Sequence, residues 1–166
     1  MPVGAQDAGA NEFQVRAAII LNLVRFVTWP HGRGNDPHVP LVVGLMGANE
    51  QTAILEQFLT AHTVDGRAFS VRRLGRADRC DECQLVYVTR GERRHFQELA
   101  SAFAAAGTLT VSDDETFAYT GGIVGLPLLS DKIEIQINLA EAEHSNLTVS
   151  SRLLSLAKVI RQGHDK

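Results

Sequence analysis

From Asn11 onward, apolar residues recur three and four positions apart. Val15, Ala18, Ile19, Leu23 and Phe26 form the stripe, with Asn22 among them, and the spacing predicts a helix over 11–28. Asn11 is placed to cap that helix, and Trp29-Pro30 ends it, because a residue before proline is pushed out of the α region. Trp29 and Pro30 are expected to be structural, with the indole against a sheet and a loop departing after it. The run LVVGLMG (41–47) is continuously apolar, as in a strand buried on both faces. Asn49 then opens a helix whose stripe is Ile54, Leu55, Phe58 and Leu59.

The same β-α alternation continues. AFSVRRL (68–74) alternates like a strand with one wet side, and QLVYV (84–88) reads as another buried strand. Phe96, Leu99, Ala100 and Phe103 mark a helix that stops at Gly107, and TLTVS (108–112) follows as a strand. GIVGLPLL and KIEIQINL, joined by Ser130-Asp131, predict an antiparallel hairpin. A last helix is expected from about Ser150, with Leu153, Leu156, Ala157 and Ile160 inward and its end near Gly163. Together these elements predict an α/β fold: a three-layer sandwich with a mixed, mostly parallel sheet flanked by helices, closing in an antiparallel hairpin and a helix. Residues 11–163 are expected to form a single domain behind a disordered remnant at 1–10.

Composition narrows the functions. The chain has 166 residues, 45% hydrophobic and 21% charged, with a net charge of −3. Lys and Arg are scattered rather than massed, which gives no electrostatic footprint for nucleic acid or an anionic membrane. Spanning a bilayer takes ~20 apolar residues, and the richest stretch is broken by Arg16, Asn22 and Arg25. The first ten residues lack the basic and apolar regions of a secretory signal.

Cys80 and Cys83 lead into the strand at 84–88. A redox dithiol would instead follow a strand at a helix start, and here Asp81 and Glu82 raise the thiol pKa. A zinc site needs about four ligands, and the histidines are dispersed. A disulfide would close a very short loop, worth roughly 2 kcal/mol of unfolded-state entropy. Two reduced surface cysteines would require a reducing compartment. GGIVG (121–125) lacks the Lys-Ser/Thr of a phosphate loop, and neither Gly-x-Ser-x-Gly nor His-Glu-x-x-His occurs. Asp113, Asp114 and Glu115 suit acid-base or cation chemistry, and equally suit helix capping. Asn22 reads as structural, satisfying buried backbone, with ligand contact as the other use. No catalytic residue, metal site or cofactor is assigned.

Several landmarks in order carry a resemblance: AAIILNLVRFVTWP (17–30), CQLVYV (83–88), LTVSDDETFAYTGGIVGL (109–126) and IEIQINLAEAEHSNLTVSSRLLSLAKVI (133–160). In these stretches the chain resembles the YfiR family. The resemblance implies a non-enzymatic periplasmic repressor that binds the sensor region of an inner-membrane signalling protein, typically a diguanylate cyclase, and holds cyclic-di-GMP output down. An outer-membrane lipoprotein as a second partner and a homodimer fit the same resemblance, and so does the surplus of apolar Leu21, Val24 and Val27 on the first helix. Family members are exported behind a signal peptide, so a chain trimmed to mature length is expected, with Cys80 and Cys83 joined as a disulfide. Cys83 stands at the family's cysteine before the strand. The alternative function is a periplasmic small-ligand module feeding a sensor or transporter. A binding site is expected at the 113–125 loop, through Asp113, Asp114, Gly121 and Gly122, with Asn138 and Arg152 nearby.

Overall fold

An eight-stranded sheet organises the computed structural model, which describes residues 5–30, 36–47, 49–75 and 80–161. Its strands are β2 (Leu41–Met46), β3 (Thr63–Val64), β4 (Arg67–Leu74), β5 (Leu85–Val88), β6 (Leu109–Ser112), β7 (Val124–Gly125), β10 (Gln136–Asn138) and β12 (Lys158–Ile160). They lie in the order β12-β10-β7-β6-β5-β2-β4-β3. The neighbours pair in parallel except β3 with β4 and β7 with β10. The expected mixed, mostly parallel α/β sheet is therefore present.

Strand pleating divides the core in two. Leu85 and Tyr87 of β5 share one cluster with Val43 and Leu45 of β2, beneath α1 (Ala5–Leu23) and α2 (Glu50–Thr60). Val86 and Val88 face the other way, onto Phe96 and Phe103 of α3 (Arg93–Ala106). Helices on both faces make the buried strands continuously apolar, the reason their sequences do not alternate. Leu55 and Leu59 of α2 are fully buried, each worth about 1.5–3 kcal/mol relative to exposure. Asn49 caps α2 through Thr52, as its position suggests.

The first helix differs from its expected form. It begins at Ala5, upstream of Asn11, and ends at Leu23. Its buried side chains are Phe13, Arg16, Ala17, Ile20 and Leu23, while Val15 is half exposed and Asn22 is exposed. The buried stripe is rotated from the expected one because a charged residue, Arg16, lies on the core face. The apolar surplus expected on this helix is also used inside the chain: Val24 and Val27, which lie past its end, are buried, and Leu21 packs against the core. Val27–Thr28 then forms β1, antiparallel to β11 (Thr148–Val149).

The C-terminal stretch departs further. Only Ser151–Leu154 is helical (α5), with the Ser150 hydroxyl accepting from the Arg152 amide. Residues 158–160 form β12, parallel to β10, and Leu156 is 73% exposed. An open ladder beside β10, offered to Val159 and Ile160, outcompetes the helical period. The expected helix end at Gly163 lies outside the described residues. The hairpin is present in two parts, β7 with β10 and β8 (Leu128–Leu129) with β9 (Lys132–Ile133). Ser130 and Asp131 turn it with φ of 51° and 68°. Helix α4 (Leu139–His144) follows directly from β10.

Candidate functional site

Strands β2, β5 and β6 all end on the same side of the sheet. From β2 the chain passes through α2 to β4, and from β5 through α3 to β6, so the two connections run to opposite faces and opposite edges. Between them opens a crevice of about 350 Å³, the switch-point position at which open α/β sheets bind ligands. Asn49 and Gln51 line it from the start of α2, and Thr89, Arg90 and Gly91 from the end of β5. Asp113 lines it from the end of β6, and Glu12 and Phe13 from α1. The Thr89 amide and hydroxyl both donate to the Met46 carbonyl, each at 3.0 Å, locking the two strand ends together. Gly47 turns away there with φ of 96°, where a Cβ would collide with the Thr89 hydroxyl.

A charged network lies against the crevice. Arg16 is fully buried; its Nε donates to the Leu126 carbonyl at 2.8 Å, and its Nη1 pairs with Glu12 one turn earlier. The guanidinium also stacks 4.6 Å from the Phe13 ring centre. Tyr87, on β5, is fully buried, and its hydroxyl has no partner in hydrogen-bond geometry. Burial pushes the phenol well above its ordinary pKa, and the Asp113 carboxylate adds to the rise, whereas Arg16 opposes it. Asp113 acts on the phenol both through its charge and as a hydrogen-bond acceptor, although the two lie outside strict hydrogen-bond geometry. At the rim Asp113 meets Arg90 at 3.9 Å.

A pH dependence follows from Tyr87. The unfolded phenol ionises near pH 10, before the folded one, so its contribution is complete below ~10 and falls as pH rises above it. Tyr87→Phe should flatten the alkaline fall in urea-unfolding stability. An identical slope in both proteins would contradict the buried neutral phenol.

The expected loop residues divide by role. Asp114 is 6% exposed, and its Oδ1 accepts from the Thr116 amide at 2.8 Å and hydroxyl at 2.9 Å, building the turn itself. Arg93 meets the same carboxylate at 3.4 Å. Gly121, with φ of 108°, faces open space, whereas a Cβ on Gly122 would strike the Phe117 ring. Asn138 is fully buried: it accepts from the Glu141 amide at 3.0 Å, capping α4, and donates to the Ala118 carbonyl at 2.8 Å. It therefore supports the loop from beneath. Arg152 is exposed and makes no side-chain bond to the loop among the described residues. Asn22 donates only to the Ala18 carbonyl of its own helix, so it satisfies exposed rather than buried backbone. Trp29 is buried and donates to the Gln84 carbonyl at 2.8 Å, and Pro30 packs where a Cβ on Gly107 would sit.

Glu12, Arg16, Tyr87 and Arg90 escape the sequence reading. The available signals are the Glu-Arg pair one helical turn apart and a lone tyrosine in an apolar strand.

Cys80 and Cys83 are bonded, with Cα atoms 5.3 Å apart, and both are buried under the opposite end of β5. Thiol counting in denaturant, on protein taken from an oxidising compartment, should find no free thiol, and reduction should cost roughly 2 kcal/mol of stability. Two reactive thiols before reduction would contradict the bond.

Among the described residues, no cluster of three or more His, Cys, Asp or Glu side chains is placed to hold a metal ion. The sequence profile of the YfiR/HmsC-like proteins matches residues 13–158. No curated protein matches the chain.

Proposed function

The chain belongs to the YfiR/HmsC-like family, and from that we propose that it is a non-catalytic periplasmic regulator of cyclic-di-GMP signalling. In this reading it binds the periplasmic region of an inner-membrane diguanylate cyclase and lowers its output. The family match carries the proposal. A buried disulfide suits an oxidising compartment, and no helix among the described residues is long and apolar enough to cross a membrane. Release by an outer-membrane lipoprotein and assembly as a homodimer belong to the same proposal, and both rest on the family.

The docking edge we assign is the exposed rim of the 113–125 loop. A rigid sheet holds this loop through Asp114 and Asn138, which leaves Glu115, Thr116, Tyr119 and Thr120 facing solvent. Tyr119 is 44% exposed, an aromatic of the kind that anchors protein interfaces. The test immobilises the cyclase's periplasmic region and measures binding of the purified chain. Saturable binding that weakens about tenfold or more in Tyr119→Ala is expected. Absence of binding would refute the partner, and undiminished binding in the variant would move the docking edge.

A further inference from the structure

The eight-stranded sheet is open at β12, its outer strand, with which no further strand pairs among the described residues. The Lys158 amide donates to the Ile135 carbonyl at 2.8 Å, in the parallel ladder with β10. In that register Lys158 and Ile160 direct their backbone groups at β10, so Val159 turns its N–H and C=O outward. Such an edge is a ready template for another strand. Exposed apolar side chains flank it. The Lys158 Nζ lies 5.9 Å from the centre of the exposed Tyr119 ring. Ahead of β10 the β8–β9 turn exposes Leu128 and Leu129, and Leu156 is exposed just ahead of β12.

Charge selects what pairs there. Residues 150–161 hold three cations, Arg152, Lys158 and Arg161, and no acid, in a chain whose net charge is −3. All three are exposed, and none meets a carboxylate at ion-pair distance among the described residues. Glu134, which leads into β10, accepts from Gln136 Nε2 at 2.8 Å and acts on Lys158 from beyond ion-pair distance. A second copy of the chain would bring the same cations against themselves, and a lipid headgroup has no backbone to lay along the ladder. We propose that the edge of β12 receives an extended acidic segment of a protein partner, added as a ninth strand. Its backbone bonds Val159, its carboxylates face Lys158 and Arg161, and its apolar side chains reach Tyr119 and Leu156. In strand addition, main-chain bonds supply affinity and alternate side chains supply specificity. The inference rests on the reading of the chain as a regulator that docks a protein at Tyr119, and it names how that partner is held.

The test records backbone amide spectra of the full chain during titration with two hexapeptides, one alternating glutamate and valine, the other lysine and valine. Saturable shifts at Val159 are expected with the acidic peptide, and binding about tenfold or more weaker with the basic one. Val159→Pro removes the outward N–H and keeps the ladder with β10, since proline is tolerated on edge strands. It should weaken binding of the acidic peptide and of the cyclase's periplasmic region about tenfold or more, with the spectrum still folded. Lys158→Glu combined with Arg161→Glu should do the same while leaving the backbone donors in place. The proposal is overturned if the acidic peptide leaves Val159 unshifted at millimolar concentration, or if the basic peptide binds as tightly. It is equally overturned if Val159→Pro binds the acidic peptide as the parent does, or if that variant instead dissolves a self-associated form of the chain. A cyclase region that fails to bind the parent sinks the earlier reading, while the peptides still decide this one. A cyclase region that binds Val159→Pro undiminished overturns the strand addition and leaves the earlier reading standing.

Discussion

Trp29→Ala should lower the free energy of unfolding by about 3–5 kcal/mol, the usual loss for a large buried aromatic. The indole fills the place where α1 has ended and the chain turns toward β2, and it is tied to the Gln84 carbonyl just before β5. That carbonyl also accepts from the Leu109 amide, so losing the indole N–H does not orphan it. Trp29→Phe should therefore recover most of the stability, falling short by about 1 kcal/mol for the missing bond. Urea midpoints read both numbers. An unchanged midpoint in the alanine variant would place Trp29 outside the core.

Arg16→Met should cost about 3 kcal/mol. The substitution keeps much of the buried stem but leaves the Leu126 carbonyl without the Nε donor and Glu12 without its partner. The penalty sits at the low end of the range for broken buried pairs because Glu12 remains one-quarter exposed, and water can solvate it. Adding Glu12→Gln should restore part of the loss, a coupling that a purely steric role for Arg16 would not produce. Equal stability of the single and double variants would contradict the charge pairing.

The fold class was legible because β2 and β5 are continuously apolar and the α2 and α3 stripes repeat at helical spacing. Those local patterns agree with the tertiary structure that buries them. Where the two levels part, the reading fails. Lys158–Ile160 carries a helical period, yet pairing with β10 makes it a strand, a choice set by residues more than twenty positions away. Arg16 looks like an interruption of an apolar face and is instead a fully buried charge on it.

The candidate site was legible only as a region. The sequence reading puts a binding loop after β6, and of its named residues Asp113 alone is among those lining the crevice. It could not separate Asp113, with its side chain at the rim, from Asp114, whose oxygens are consumed by Thr116 and Arg93. Nor could it show that Glu12, Arg90 and Asp113 line one crevice, because they come from three stretches far apart in the chain.

The most direct measurement is the cyclic-di-GMP content of cells that carry the cognate cyclase, compared with and without this chain exported to the periplasm. A regulator of the proposed kind predicts that the content rises when the chain is absent and falls back when it is restored. An unchanged content in both states, with the chain folded and exported, would contradict it.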